Sequence, residues 1–196
     1  YDGVSWTPMP LTGNPELWAV WGTSPNSLYA SGQNGELLAW DGLGWQKMQS
    51  PTSYVLFGLY GAAFAPVWSV GIRGTILKYA SGSWQPVPSP SGTDFFAING
   101  RSASEMYAVG NDGAIMAWNG QAWGLVNQSV SGENLRAVAM IGNSVMVAGW
   151  YGTVIRRDAG AWKVLIDGSV LFSAAENESA AFAVGTSGTV LKREGS

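Results

Sequence analysis

Gly35-Glu36-Leu37-Leu38-Ala39-Trp40-Asp41-Gly42-Leu43-Gly44-Trp45 is a short apolar run between glycines, closed by an Asp-Gly corner and a tryptophan. The same form returns as Gly74-Thr75-Ile76-Leu77-Lys78-Tyr79 before Trp84, and as Gly113-Ala114-Ile115-Met116-Ala117-Trp118 before Trp123. It returns again as Gly152-Thr153-Val154-Ile155-Arg156 before Trp162, and as Gly188-Thr189-Val190-Leu191-Lys192. Each copy follows another apolar run ending in glycine, at Gly32, Gly71, Gly110, Gly149 and Gly185, spaced 39, 39, 39 and 36 residues apart. A third run opens each unit, starting at Leu17, Leu56, Phe95, Leu135 and Leu171. A fixed period of this length marks a repeat architecture, and runs of four to seven residues between turn signals are strands rather than helices.

Each unit therefore reads as four antiparallel strands, A to D. The fold class is all-β: a five-bladed β-propeller forming one domain over residues 1–196. The blades are expected at about 14–52, 53–92, 93–131, 132–168 and 169–196 plus 1–10. Tyr1-Asp2-Gly3 and Trp6 repeat the form of Trp40-Asp41-Gly42 and Trp45, so the N-terminal segment is expected to supply strand D of the last blade and close the ring. Small residues in strand A (Ala19, Gly58, Ala97, Ala137, Ser173) are expected to line the crowded axis. Their neighbours Trp18 and Val20, Phe57 and Leu59, and Phe96 and Ile98 are expected to pack between blades. Gly-x-x-Gly between strands B and C reads as a two-residue hairpin whose glycines take the positive φ. At the Asp-Gly-x-x-Trp corner the carboxylate caps a turn and the indole packs beneath the adjacent strand.

Composition narrows the function. The chain has 27 Gly and 11 Trp, no Cys and no His, and a net charge of −3. Without His or Cys, the usual zinc, copper and haem ligand sets and His-assisted nucleophilic catalysis are excluded, and no metal or other cofactor is expected. The charge offers nothing to nucleic acid. No run approaches the ~18 apolar residues of a membrane span, so no membrane insertion is expected.

With the units laid out, the chain resembles the bacterial Asp-box or BNR-like propeller repeats and the related photosystem-assembly-factor-like repeats. The matching residues are Ala108-Val109-Gly110, Ala183-Val184-Gly185, Asp2-Gly3 with Trp6, and Asp41-Gly42 with Trp45. Ala80 and Asn119 stand at the Asp position of units two and three, and Ala159 at the Gly position of unit four. The resemblance implies a propeller. It also implies a secreted or surface location, extracellular or at the cell surface.

The repeated residues are explained by folding, so function is sought where the repeats disagree. The B–C turns hold Gln33-Asn34, Ile72-Arg73, Asn111-Asp112, Trp150-Tyr151 and Thr186-Ser187. They share a face with the D–A connections at 14–16, 52–54, 91–94 and 127–134. The candidate ligand-binding residues on this face are Trp150, Tyr151, Asn111, Asp112, Gln33, Asn34, Arg73, Tyr54 and Asp94. Trp21, Tyr60 and Asn99 are candidates for a channel mouth. Amides and exposed aromatics together suit a sugar surface, so the expected role is a non-enzymatic, lectin-like glycan-binding module. The alternative is a scaffold docking one protein partner, which the diversity of the turns favours. A glycoside hydrolase is the weaker reading, because no strand A core contains the Asp or Glu such chemistry needs. The protein is read as a monomer or a domain of a larger protein.

Overall fold

The structure is a computed structural model. It describes all residues except 1–3, 6, 10, 63–65, 127–131, 159, 167–170, 177–179 and 195–196. It is all-β, in five successive antiparallel sheets resembling propeller blades. Sheet one holds β1 (Leu17–Ser24), β2 (Ser27–Gly32), β3 (Leu37–Trp40) and β4 (Trp45–Lys47). Sheet two holds β5 (Leu56–Gly61), β6 (Val67–Gly71), β7 (Ile76–Ala80) and β8 (Ser83–Pro86). Sheet three holds β9 (Phe95–Ser102), β10 (Glu105–Gly110), β11 (Ile115–Trp118) and β12 (Trp123–Leu125). Sheet four holds β13 (Leu135–Ile141), β14 (Ser144–Gly149), β15 (Thr153–Asp158) and β16 (Ala161–Ile166). Sheet five holds β17 (Leu171–Glu176), β18 (Ala180–Gly185) and β19 (Val190–Glu194), three strands among the described residues. The expected pairing of residues 1–6 with this last sheet lies outside the described residues.

The core lies between sheets, as expected for repeats that cannot bury an apolar face alone. Leu56 packs with Leu37 of sheet one, Phe95 with Val70 and Ile76 of sheet two, and Leu135 with Val109 and Ile115 of sheet three. The late tryptophan of units two, three and four reaches back to a strand B side chain of the unit before. Trp84 meets Tyr29, Trp123 meets Trp68 and Trp162 meets Tyr107, with ring centroids 6.4, 5.7 and 6.0 Å apart.

The corners behave as their residues require. Asp41 Oδ1 accepts the Leu43 and Gly44 amides at 2.8 and 2.9 Å. Asn119 Oδ1 accepts Gln121 and Ala122 at 2.9 Å each, so an amide oxygen builds the same corner. In unit two, Ala80 pairs with Ser83 across Ser81 and Gly82, both at positive φ, and this two-residue turn needs no side-chain cap. The bonds from Gly44 and Leu43 hold the Asp41 carboxyl below its ordinary 3.8. A depressed carboxyl stabilises the fold above 3.8 and loses that contribution as pH falls through the lower folded value. Asp41→Asn is expected to retain the corner and abolish this acid-linked part of stability, measured by comparing denaturation midpoints at neutral and acid pH.

Two expectations about strand A are corrected. The small residues do not line the axis; they allow successive innermost strands to approach. A Cβ on Gly58 would lie 3.3 Å from Ala97 Cα and 3.1 Å from Val70 Cγ2, and Ala137 packs against Leu171 of sheet five. Second, every strand A carries a β-bulge. Leu17 pairs with Gly32 but Ala19 with Ser31, leaving Trp18 as the extra residue. The same shift leaves Phe57, Phe96, Arg136 and Phe172 as the extra residues of β5, β9, β13 and β17. Leu59 and Ile98 do pack between sheets as expected.

Candidate functional site

A bulge re-aims one side chain and bends its strand. Repeated in neighbouring sheets, it sends Trp18, Phe57, Phe96 and Arg136 into one central concavity of about 730 Å³, also lined by Gln33, Val55 and Trp150. The rings run in a row along it: Trp18 meets Phe57 in a T-shaped contact at 5.4 Å, and Phe57 lies tilted against Phe96 at 5.3 Å. Arg136 ends the row. Its guanidinium carbon sits 3.8 Å from the Phe96 ring centroid and 4.9 Å from that of Trp150. Its Nε is buried and has no hydrogen-bond partner among the described residues. Burial lowers its pKa from arginine's ordinary value, yet arginine stays charged at neutral pH. A partly desolvated cation held against two aromatic rings and opening on a concavity can take an anionic group on an otherwise apolar ligand. Among the described residues none that lines it is acidic, so they bring no carboxylate pair for glycoside hydrolysis to the concavity.

The loop face is held rigid by its turns, which differ from simple hairpins. The first glycine of each Gly-x-x-Gly is extended, near φ −160, not positive. It is glycine because the preceding D–A connection lies against it: a Cβ on Gly110 would run into the Asp94 carbonyl, and one on Gly71 into that of Val55. Those same carbonyls accept the next amide, Asn111 N at 3.0 Å and Ile72 N at 3.1 Å. The positive φ values fall on the third and fourth of the four: Asn34, Arg73, Asp112, Tyr151 and Ser187 have φ between 52 and 56, and the closing glycines Gly35, Gly74, Gly113, Gly152 and Gly188 take the expected positive φ, between 68 and 74.

The predicted site residues fall into separate places. Gln33 and Trp150 reach the central concavity. Gln33 and Asn34 also border a polar hollow of about 470 Å³ with Asn14 and Glu16. Arg73, Tyr54, Asp94 and Asn111 form one cluster. The Arg73 guanidinium lies 5.2 Å over the Tyr54 ring, Asp94 Oδ1 accepts the Arg73 amide at 2.8 Å, and Asp94 Oδ2 accepts Asn111 Nδ2 at 3.2 Å. The Asp112 amide donates to Asn134 Oδ1 at 3.1 Å. Tyr151 is exposed.

Trp21, Tyr60 and Asn99, the channel-mouth candidates, each reach across to the next sheet. Trp21 lies against Gly61, where a Cβ would come within 2.6 Å of its ring. Tyr60 Oη donates to the Gly100 carbonyl at 2.6 Å, and Asn99 Nδ2 to the Val138 carbonyl at 3.2 Å. Tyr60→Phe is expected to cost about 1 kcal/mol of stability, the usual net worth of one intramolecular hydrogen bond, and to leave ligand binding unchanged. Urea denaturation beside a binding titration checks both halves.

Strict alternation assigns Trp18, Phe57 and Phe96 to packing between sheets, and it does not bring them or Arg136 to the concavity that they line. The available signal was Arg136, a cation at a position that is aromatic in every other unit.

The fold and the concavity define a class: an all-β repeat protein of propeller-like sheets, with an aromatic concavity where the first residues of its innermost strands meet. No family model matches the chain, and no curated protein matches it. Among solved structures it superposes on YCF48 bound to D1 peptide with a TM-score of 0.76 and 19% identity, over 99% of this chain and 69% of that one. It superposes on YCF48 from Cyanidioschyzon merolae with a TM-score of 0.75 and 16% identity, over 98% and 74%. The computationally designed Ika8 protein matches with a TM-score of 0.72 and 16% identity, over 92% and 59%. These likenesses establish the shared fold.

Proposed function

We propose that this chain is a protein-interaction module that lays an extended peptide of a partner across the central concavity, with a carboxylate of that peptide on Arg136. The reading rests on Arg136 above all. It is charged, desolvated, stacked between Phe96 and Trp150, and has a buried Nε with no partner among the described residues. A carboxylate relieves that unmet donor with a charge-assisted bond, while the Trp18–Phe57–Phe96 row takes apolar side chains.

YCF48, which shares the fold, is described as bound to D1 peptide, and this supports peptide as the ligand class. A lectin with equivalent sites would carry similar turns, whereas among the lining residues only sheet four brings a cation, Arg136, to the concavity. The protein-partner reading is therefore preferred to the glycan one.

The test is selection from a peptide library displayed with free carboxyl termini, followed by fluorescence anisotropy on the selected sequences and their amidated forms. Enrichment of peptides that place an apolar or aromatic residue beside a carboxylate is expected. A chain that enriches no peptide but binds a glycan array would overturn the reading.

A further inference from the structure

One seam between sheets holds a sulfur where the repeat elsewhere uses a plain hydrocarbon. Met48, Val87 and Val126 occupy the same place after strand D: their amides donate to the Leu37, Ile76 and Ile115 carbonyls, each at 2.9 Å. Val87 packs into the seam between sheets two and three, and Val126 into the seam between sheets three and four. Valine therefore satisfies the packing at this place, and methionine at 48 is a departure that packing does not require.

The sulfur makes a contact that valine cannot. Trp84 Nε1 donates to Met48 Sδ at 3.3 Å. In the next seam, the equivalent Trp123 Nε1 is buried and has no partner among the described residues. Trp84 is buried and is fixed in its seam by Tyr29 and Tyr79, with ring centroids 6.4 and 5.3 Å away. Met48 is half-buried, and it lines a groove of about 400 Å³ at the outer edge of the seam, with Lys47, Ser50, Pro51, Tyr79 and Trp84. The other methionines divide cleanly. Met106, Met116, Met140 and Met146 are buried, and Met9 is exposed on the segment ahead of sheet one.

We propose that Met48 is a site of reversible oxidation by hydrogen peroxide, and that its sulfoxide loosens the seam between sheets one and two. A sulfur lone pair attacks one peroxide oxygen, and the S–O bond forms as the O–O bond breaks. The departing hydroxide takes up a proton and leaves as water. Sulfur gives up an electron pair and peroxide accepts it, so the thioether is oxidised and the peroxide reduced. The groove gives peroxide its approach, and the indole engages only one of the sulfur's lone pairs. The product is polar and chiral, and methionine sulfoxide reductases return it to the thioether. The new oxygen has no place between Sδ and Nε1, which are already in contact. The oxidised side chain is therefore driven out toward the groove, and Trp84 loses its sulfur partner together with the packing of the methionine stem. In a repeat array, stability is carried by such nearest-neighbour seams, so the change is felt there first. The proposal goes beyond the peptide-binding reading and does not depend on it.

The test treats the folded Met9→Leu chain with hydrogen peroxide and maps its methionines by mass spectrometry. Met48 is expected to take up oxygen while Met106, Met116, Met140 and Met146 do not. The urea midpoint is expected to fall as Met48 oxidises, and to return after treatment with a methionine sulfoxide reductase. Hydrogen exchange is expected to show amides of β8 losing protection ahead of those of β12. Met48→Val in the same background copies units two and three, and its urea midpoint is expected to hold through peroxide treatment. Met48→Leu serves the same purpose if the valine chain does not fold.

Oxidation of Met48 no faster than that of the four buried methionines overturns the proposal, because the groove then gives no access. Complete oxidation of Met48 with an unchanged urea midpoint also overturns it, because the seam then does not respond. So does an equal fall of the midpoint in the peroxide-treated Met48→Val or Met48→Leu chain, which places the lesion at another residue.

Discussion

Arg136→Met is expected to weaken peptide binding by about 2–4 kcal/mol, the range of an interface hot spot, or roughly 30- to 1000-fold in Kd. The substitution keeps a long, flexible stem that fills the gap between Phe96 and Trp150, so the aromatic walls stay in place. It removes the cation and the buried Nε that has no partner among the described residues. Losing an unsatisfied buried donor costs the free protein nothing, and replacement by an apolar group of similar shape is neutral or stabilising. Affinity and stability should therefore move in opposite directions, which a merely structural arginine would not produce. Arg136→Lys keeps charge but loses the planar fork and the stacking, and is expected to fall between the two. Anisotropy titrations with a carboxylate peptide and its amide, beside denaturant midpoints, separate these outcomes. Equal affinity of Arg136→Met and the parent for the carboxylate peptide would remove Arg136 from the site.

Trp68→Ala is expected to destabilise by about 3–5 kcal/mol, the cost of truncating a large buried aromatic. Trp68 is buried between sheets two and three, with ring centroids 4.8 Å from Trp118 and 5.7 Å from Trp123. Val70, Ile76, Phe95 and Met106 complete the cluster. Neighbouring rings are fixed from behind: Trp118 Nε1 donates to the Ala103 carbonyl at 3.0 Å, so the gap cannot collapse freely. Since whole domains hold together by about 5–15 kcal/mol, most of the margin would go. Stability in a repeat array is carried by nearest-neighbour interfaces, so loss should begin at this seam. Hydrogen exchange is expected to show amides of β6 and β9 losing protection before those of β14. Uniform loss across all sheets would argue that the array unfolds as a single cooperative unit instead.

Much of this could be read from residue order. The period of 39 located every strand set, because identical turn residues at fixed spacing force identical local structure. The Asp41 corner followed from the capping chemistry of a short carboxylate, and the Asn119 variant keeps the same oxygen in the same place. The late tryptophans were legible as packing residues, though not as links to the preceding sheet, since no local pattern says which neighbour an indole will meet. Gly32, Gly71, Gly110 and Gly149 were legible as turn residues for an incomplete reason. Their turns are real, but at Gly71 and Gly110 it is the crowding of a carbonyl from a distant connection that excludes a side chain.

The site was the least legible part, and the bulge is why. A strand read by alternation sends residues i and i+2 to the same face, and one extra residue breaks that rule. Trp18, Phe57 and Phe96 were therefore assigned to the seams when they line the concavity, and the small residues beside them were assigned to the axis when they bring strands together. Sequence alone determined the all-β class, the repeating strands and the corners, because these depend on side chains within a few residues of each other. Tertiary structure alone decided that Trp18, Phe57, Phe96 and Arg136, from four sheets, line one concavity, and that Leu17 and Val190 lie uncovered. Those outcomes depend on how sheets stack and curve, and contacts between units set that geometry.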